Sequence, residues 1–195
     1  MTRRILTRLS LLAWLAALTM LAPRTSAAQQ NHSIDMGASY TYVHTNLLPG
    51  CDCFGTYGGS GEVQFGLSRH FALLGDVTAT HQGSITPDHY ALTQTTFAAG
   101  LRYFPPVPRA RLQPFGDLLL GGAHASGSLA PGNTGEGSST AFAFQTGGGV
   151  RLRLGDRWIL VPVQAEYLLT TFGNGADNHQ NDLRLSAGVL FRIRR

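Results

Sequence analysis

Six side chains carry most of the chemistry this sequence could perform: Glu62, Asp76 and Glu166 set against Arg102, Arg151 and Arg184. Each lies on the polar side of a segment in which apolar and polar residues alternate. Inside a closed sheet the three carboxylates could neutralise the three guanidiniums. An isolated buried charge would be costly, so pairing is expected. Fixed pairs would make a structural polar plug, whereas a pair that switches partners would gate a narrow pore. A second constellation is His124 and Ser126, two apart on a strand and therefore on one face, with Glu136 ten residues after the serine. By composition alone this stretch is a Gly/Ala/Ser-rich strand end. A third is Cys51 and Cys53, which could close a Cys-x-Cys disulfide, a tight, strained and reducible ring that would staple a loop. The seven His are scattered, with no zinc signature, no phosphate loop and no paired carboxylates at catalytic spacing. Neither a cofactor nor a metal is expected.

Composition narrows the classes further. Charged residues make up 13% of the 195, Gly contributes 24, and all 15 basic residues are Arg. So few charges exclude a disordered tail and a charge-driven nucleic-acid binder. Two Cys exclude a disulfide-framework mini-protein and a four-cysteine zinc site. The net charge of +4 has a local source: Arg3, Arg4, Arg8 and Arg24 precede any acidic residue, and the remaining Arg balance the 11 Asp and Glu. Residues 1–28 read as a cleavable signal peptide. Arg3, Arg4 and Arg8 form the positive region, Leu9–Leu21 the apolar region, and Ser26-Ala27-Ala28 the cleavage site. The mature domain is then 29–195, exported unfolded by the Sec route.

From Ile34 onward no helical period persists. Segments of about ten residues alternate with period two: Ile34–Val43, Gly61–Ser68, Phe71–Thr80, Thr93–Tyr103, Gln113–Ala125, Phe142–Leu154, Trp158–Thr171 and Asp182–Ile193. The register of Gln113–Ala125 is ambiguous. In the other seven, one face holds no charge, and the opposite face holds the six residues above with Asp35, Arg153, Asp182 and Arg192. Connections alternate long (45–60, 81–92, 126–141, 172–181) with shorter (69–70, 104–112, 155–157). This is the rhythm of an up-and-down transmembrane barrel, in which an even strand count returns both termini to the periplasm. A soluble barrel binding an apolar ligand would put its apolar face inward and its charges outside. Polar faces rich in Gly, Ser, Thr and Gln, and the lack of Lys, favour the inverted arrangement. Aromatics also gather at the strand ends: Tyr40, Tyr42, Phe142 and Tyr167 toward the long loops, and Phe71, Tyr103, Phe104, Trp158 and Phe191 toward the short turns. The fold class is therefore all-β, an eight-stranded antiparallel transmembrane barrel.

Several segments carry a family resemblance: Cys51-Asp52-Cys53-Phe54-Gly55, Pro114-Phe115-Gly116, Gly121-Gly122-Ala123-His124, Gly147-Gly148-Gly149, and the closing Leu185-Ser186-Ala187-Gly188-Val189-Leu190-Phe191. Over Ile34 to Ile193 the chain resembles the small eight-stranded outer-membrane barrels typified by the OmpA membrane domain and OmpX. The closing segment looks like the β-signal read by the outer-membrane assembly machinery, except that Phe191 is followed by Arg192, Ile193, Arg194 and Arg195. The resemblance implies an outer-membrane location, contact with outer-membrane lipids and lipopolysaccharide, a monomer, and a structural or loop-mediated envelope role without catalysis. Within it, His124 and Ser126 are similar to the His-x-Ser pair of lipid A deacylases, which implies a serine nucleophile, a histidine base and Glu136 as the downstream acid, but Gly127 stands where those enzymes continue with Asn.

Overall fold

Alternating strands in hydrocarbon must satisfy every backbone N–H and C=O from within the protein, so a sheet can cross a bilayer only if it closes on itself. The computed structural model describes residues 33–46, 53–83, 85, 91–107, 111–127, 137–173 and 178–194, and these form such a closed sheet. Its strands are β1 (Ile34–Thr45), β2 (Phe54–Gly66), β3 (Phe71–Gln82), β4 (Leu92–Tyr103), β5 (Leu112–Ser126), β6 (Ser138–Arg153), β7 (Trp158–Thr170) and β8 (Gln180–Arg194). Each pairs antiparallel with its sequence neighbour, and β8 pairs with β1 from His44↔Leu183 down to Ile34↔Arg194. The shortest strands have 12 residues, which at a tilt of about 40° reach roughly 30 Å, enough for the apolar band of an outer membrane.

The wall is inside-out relative to a water-soluble barrel. Val77, Phe97, Leu118, Leu120 and Val163 are each at least half exposed on the outer surface, whereas Glu62, Asp76, Arg102, Glu166 and Arg184 are buried within. This arrangement rules against the soluble ligand-binding barrel. Two aromatic zones flank the band. Toward the short turns Phe71 packs on Tyr103 and Trp158 on Phe191, with ring centroids 5.2 and 5.0 Å apart; toward the long loops Tyr42 packs on Tyr57 at 5.1 Å. Such amphipathic rings settle at the membrane interfaces.

Three local expectations are corrected, and one open register is resolved. Strand β2 begins at Phe54 rather than Gly61 and stops at Gly66, so half of what reads as the first long loop is barrel wall. Its Gly58-Gly59-Ser60-Gly61 run has turn composition, but Gly58 faces inward, where an added Cβ would lie 1.9 Å from the Ala79 carbonyl oxygen on β3. In β5 the ambiguous register resolves with Phe115, Asp117 and Leu119 inward and Leu118 and Leu120 outward. In β7 an irregularity between Val161 and Gln164 shifts the pairing with β8. It reverses the faces below it, so Ile159 and Val161 point into the lumen rather than outward. Phe104 also turns inward, instead of joining the interfacial ring, and packs with Ala72, Phe115, Ile159, Val161 and Leu190.

The lumen is therefore layered. That apolar cluster lies near the short-turn end, and a second one, containing Leu92, Ala123, Ala125, Ala143, Leu168 and Phe172, lies near the long-loop end. Asp76, Glu166 and Arg184 lie between them, with a third small apolar cluster of Leu74, Ala98 and Leu119, whereas Asp35, Arg151 and Arg192 lie at the short-turn end. At the long-loop end Gly127, with φ +126°, donates its N–H to the Gly137 carbonyl (2.8 Å), closing the β5–β6 pair in a backbone conformation that favours glycine.

Neighbouring strands approach most closely at inward-facing glycines. A Cβ on Gly121 would sit 1.9 Å from the Phe97 carbonyl oxygen, whereas one on Gly75 meets nothing within 4 Å. Gly121→Val is expected to lose about 1–3 kcal/mol or more of stability through overpacking, and Gly75→Ala to leave it unchanged. Urea unfolding from lipid vesicles, followed by heat-modifiable gel mobility, checks both.

Candidate functional site

Inward charges from every strand except β6 meet in two clusters. In the lower one Arg102 on β4 holds two carboxylates. Its Nη1 donates to Glu62 Oε1 at 2.8 Å and its Nη2 to Glu62 Oε2 at 3.2 Å. Its Nε and Nη2 donate to the two oxygens of Asp117, both at 2.8 Å. Asp117 lies opposite Arg102 in the β4–β5 register, and Glu62 reaches it from β2. The guanidinium face rests 4.1 Å above the Phe115 ring, so a fully buried cation has anions at its edges and an aromatic quadrupole beneath it. Gln64 links this clamp to the seam where the sheet closes. Its Oε1 accepts from Arg102 Nη1 (3.3 Å), and its Nε2 donates to Asp35 Oδ2 (3.3 Å). Asp35 on β1 accepts two bonds from Arg192 on β8, at 2.7 and 3.0 Å.

The upper cluster is built around Arg184 on β8. Its Nη1 and Nη2 donate to the Asp76 carboxylate on β3 at 2.8 and 3.0 Å, and its Nη1 also donates to Gln145 Oε1 on β6 at 3.0 Å. Glu166 on β7 pairs with it more loosely at 3.4 Å, with neither oxygen hydrogen-bonded among the described residues. Strands β3 and β8 are not neighbours, so Arg184 ties walls together across the lumen. Above it Asp182 is buried and accepts the Asn46 N–H at 3.3 Å.

Five of the six sequence-picked residues are thus drawn together as ion pairs, and the sixth is held otherwise. Arg151 makes no carboxylate pair among the described residues. Its Nε and Nη2 donate to Gln113 Oε1 at 3.0 and 2.8 Å, and its guanidinium lies 3.8 Å over Phe104. Asp117 was missing from that set because the period of β5 fits two registers. Asp35 and Arg192 were legible as polar-face residues, but only barrel closure makes them partners.

His124 and Ser126 lie on the outer face near the long-loop rim, and the structure does not bring them together as a base and nucleophile. His124 Nδ1 is 2.9 Å from Thr140 Oγ1 on β6. The same cross-strand arrangement recurs between His81 Nδ1 on β3 and Thr93 Oγ1 on β4, also at 2.9 Å, which marks it as a feature of the wall. Glu136 and Cys51 lie outside the described residues, as do residues 1–32; Cys53 is exposed just before β2. Among the described residues no group of three or more His, Cys, Asp or Glu side chains is placed to hold a metal ion.

Residues 13–191 match the family model described as outer membrane protein beta-barrel domain. Among solved structures the chain is similar to Neisserial surface protein A, with 15% identity and a TM-score of 0.57 over 82% of this chain and 95% of that one. It is similar to OprG of Pseudomonas aeruginosa, with 10% identity and a TM-score of 0.54 over 85% and 98%. It is also similar to Ail of Yersinia pestis in complex with the heparin analogue sucrose octasulfate, with 16% identity and a TM-score of 0.51 over 84% and 98%. At these identities the likeness is one of fold. No curated protein matches the chain.

If the Arg102 clamp fixes the barrel, Arg102→Met leaves Glu62 and Asp117 buried without a cation and costs about 3–5 kcal/mol. Adding Glu62→Gln and Asp117→Asn to that variant should recover most of the loss. Urea titrations in lipid vesicles test the pair of results, and a single variant as stable as the parent would remove the clamp's structural role.

Proposed function

The chain belongs to the outer membrane protein beta-barrel domain family, and from that premise we propose that it is a non-enzymatic protein of the cell envelope, a rigid structural barrel whose long loops make its interactions. The observation that carries this reading is the filled lumen. Three apolar clusters and cross-braced ion pairs occupy the space a solute would need, with Arg102 fully buried and Arg184 nearly so. Eight strands leave an interior that side chains can fill, which supports a plug over a pore. The engagement of His124 by Thr140 supports a non-catalytic rim.

In this reading residues 1–28 are a cleaved signal peptide, the mature chain travels by the Sec route, and the assembly machinery inserts it with both termini periplasmic. The short turns then face the periplasm and the long loops the exterior, with lipopolysaccharide around the outer rim and a monomer as the working unit. Charge refines the kind of partner. The four long connections, residues 46–53, 83–91, 127–137 and 171–179, contain Asp52, Asp88, Glu136 and Asp177 and no Arg or Lys. Repulsion between like charges disfavours a polyanion such as the one in the Ail complex. A neutral or basic surface fits better.

Planar bilayers containing the purified protein should show no solute-sized conductance steps. Cells displaying it should adhere to a polycation-coated surface and not to a heparin-coated one, and lose that adhesion when the four connections are replaced by short turns while heat-modifiable mobility persists. Stable large conductance, or adhesion indifferent to the loops, would overturn the proposal.

A further inference from the structure

The ion pairs leave three arginines, Arg69, Arg151 and Arg153, without a carboxylate partner among the described residues, at the short-turn mouth of the barrel. A cavity of about 400 Å³ opens there, and four guanidiniums line it: Arg69 from the β2–β3 turn, Arg151 and Arg153 from β6, and Arg192 from β8. The carboxylate beside them, Asp35, is already engaged through both oxygens by Arg192 and through one by Gln64. No carboxylate among the described residues lies in ion-pair range of Arg69, Arg151 or Arg153. Arg151 is the telling member. Only 4% exposed and stacked on Phe104, it spends Nε and Nη2 on a neutral amide oxygen, and its buried Nη1 has no hydrogen-bond partner among the described residues. A buried guanidinium with an unused donor, beside three like charges, is an arrangement that an anion completes.

We propose that this mouth is a binding site for a phosphate-bearing anion, with Arg151 as its buried anchor and Arg69 and Arg153 as the exposed arms that close on it. Arginine suits the role because its planar fork matches two phosphate oxygens at once. The hydroxyls of Ser33 and Ser68, which also line the cavity, supply neutral donors. The volume accommodates a group of diphosphate size rather than a long polymer. Two sources offer that chemistry: a free phosphate or diphosphate in the aqueous compartment at this mouth, and the headgroup of an anionic phospholipid in the adjoining leaflet. Which compartment supplies it rests on the orientation proposed above; the binding itself does not.

The test uses the full barrel in phosphatidylcholine nanodiscs, titrated calorimetrically with inorganic pyrophosphate. The expected result is saturable binding with a dissociation constant below about 1 mM, weakening as salt is raised. Arg69→Gln and Arg153→Gln, both at exposed rim positions, should each weaken it by about tenfold. Arg157→Gln, on the same end but outside the cavity lining, should leave it unchanged. Arg151→Gln should abolish binding, with heat-modifiable mobility confirming that the barrel is folded. Repeating the titration in nanodiscs containing phosphatidylglycerol separates the sources: competitive loss of pyrophosphate binding assigns the site to the lipid headgroup, and unchanged binding assigns it to the free anion. Absence of saturable binding in phosphatidylcholine, or binding indifferent to Arg69→Gln and Arg153→Gln, overturns the proposal.

Discussion

Hydrocarbon offers no partner for a backbone N–H or C=O, and that constraint governs the rest of this molecule. It forces the sheet to close, β1 onto β8, and closure divides every strand into a lipid face and a lumen face. The lipid face tolerates a charge badly, by about 2–4 kcal/mol for an arginine at the midplane. Charges are accordingly gathered inside, where they must find one another. Closure also fixes which side chains can meet: Asp35 and Arg192 lie at opposite ends of the chain, yet become partners across the seam.

The interior works as a set of braces. Arg102 joins β4 to β2 and β5, Arg184 joins β8 to β3, β6 and β7, and Gln64 connects the lower clamp to the seam on β1. A buried ion pair is not in itself a strong source of stability, because desolvation offsets much of the attraction. Its value here is specificity. A strand slipped by one residue would turn its charged group into the bilayer, so the braces and the membrane together select one register. The same logic explains why the braced centre and the mouth differ. At the centre each arginine has carboxylates, while at the short-turn end Arg69, Arg151 and Arg153 have none among the described residues.

Most of the architecture was legible in the sequence because period two, combined with charges confined to one face, survives in seven of the strands. The failures have physical causes. The upper half of β2 was lost because Gly58-Gly59-Ser60-Gly61 has the composition of a turn, although here the glycine at 58 makes room for the backbone of β3. In β7 a local irregularity inverts the alternation, so Ile159 and Val161 could not be placed by counting in twos. The ionic site was legible as a set of residues but not as a set of pairs. Register across β4 and β5 decides that Arg102 takes Asp117, and the cross-lumen reach of Arg184 to Asp76 depends on barrel geometry that no single strand encodes.

The central claim is the direction of the two faces, and spin-label accessibility along one strand tests it most directly. With Cys51 and Cys53 replaced by serine, single cysteines at successive positions of β3 from Phe71 to Thr80 would carry the label in phospholipid vesicles. The account predicts that labels at Leu73, Gly75, Val77 and Ala79 collide freely with lipid-dissolved oxygen, while those at Leu74, Asp76 and Thr78 are shielded from it. Uniform accessibility, or the opposite phase with the Asp76 side facing lipid, would contradict the account.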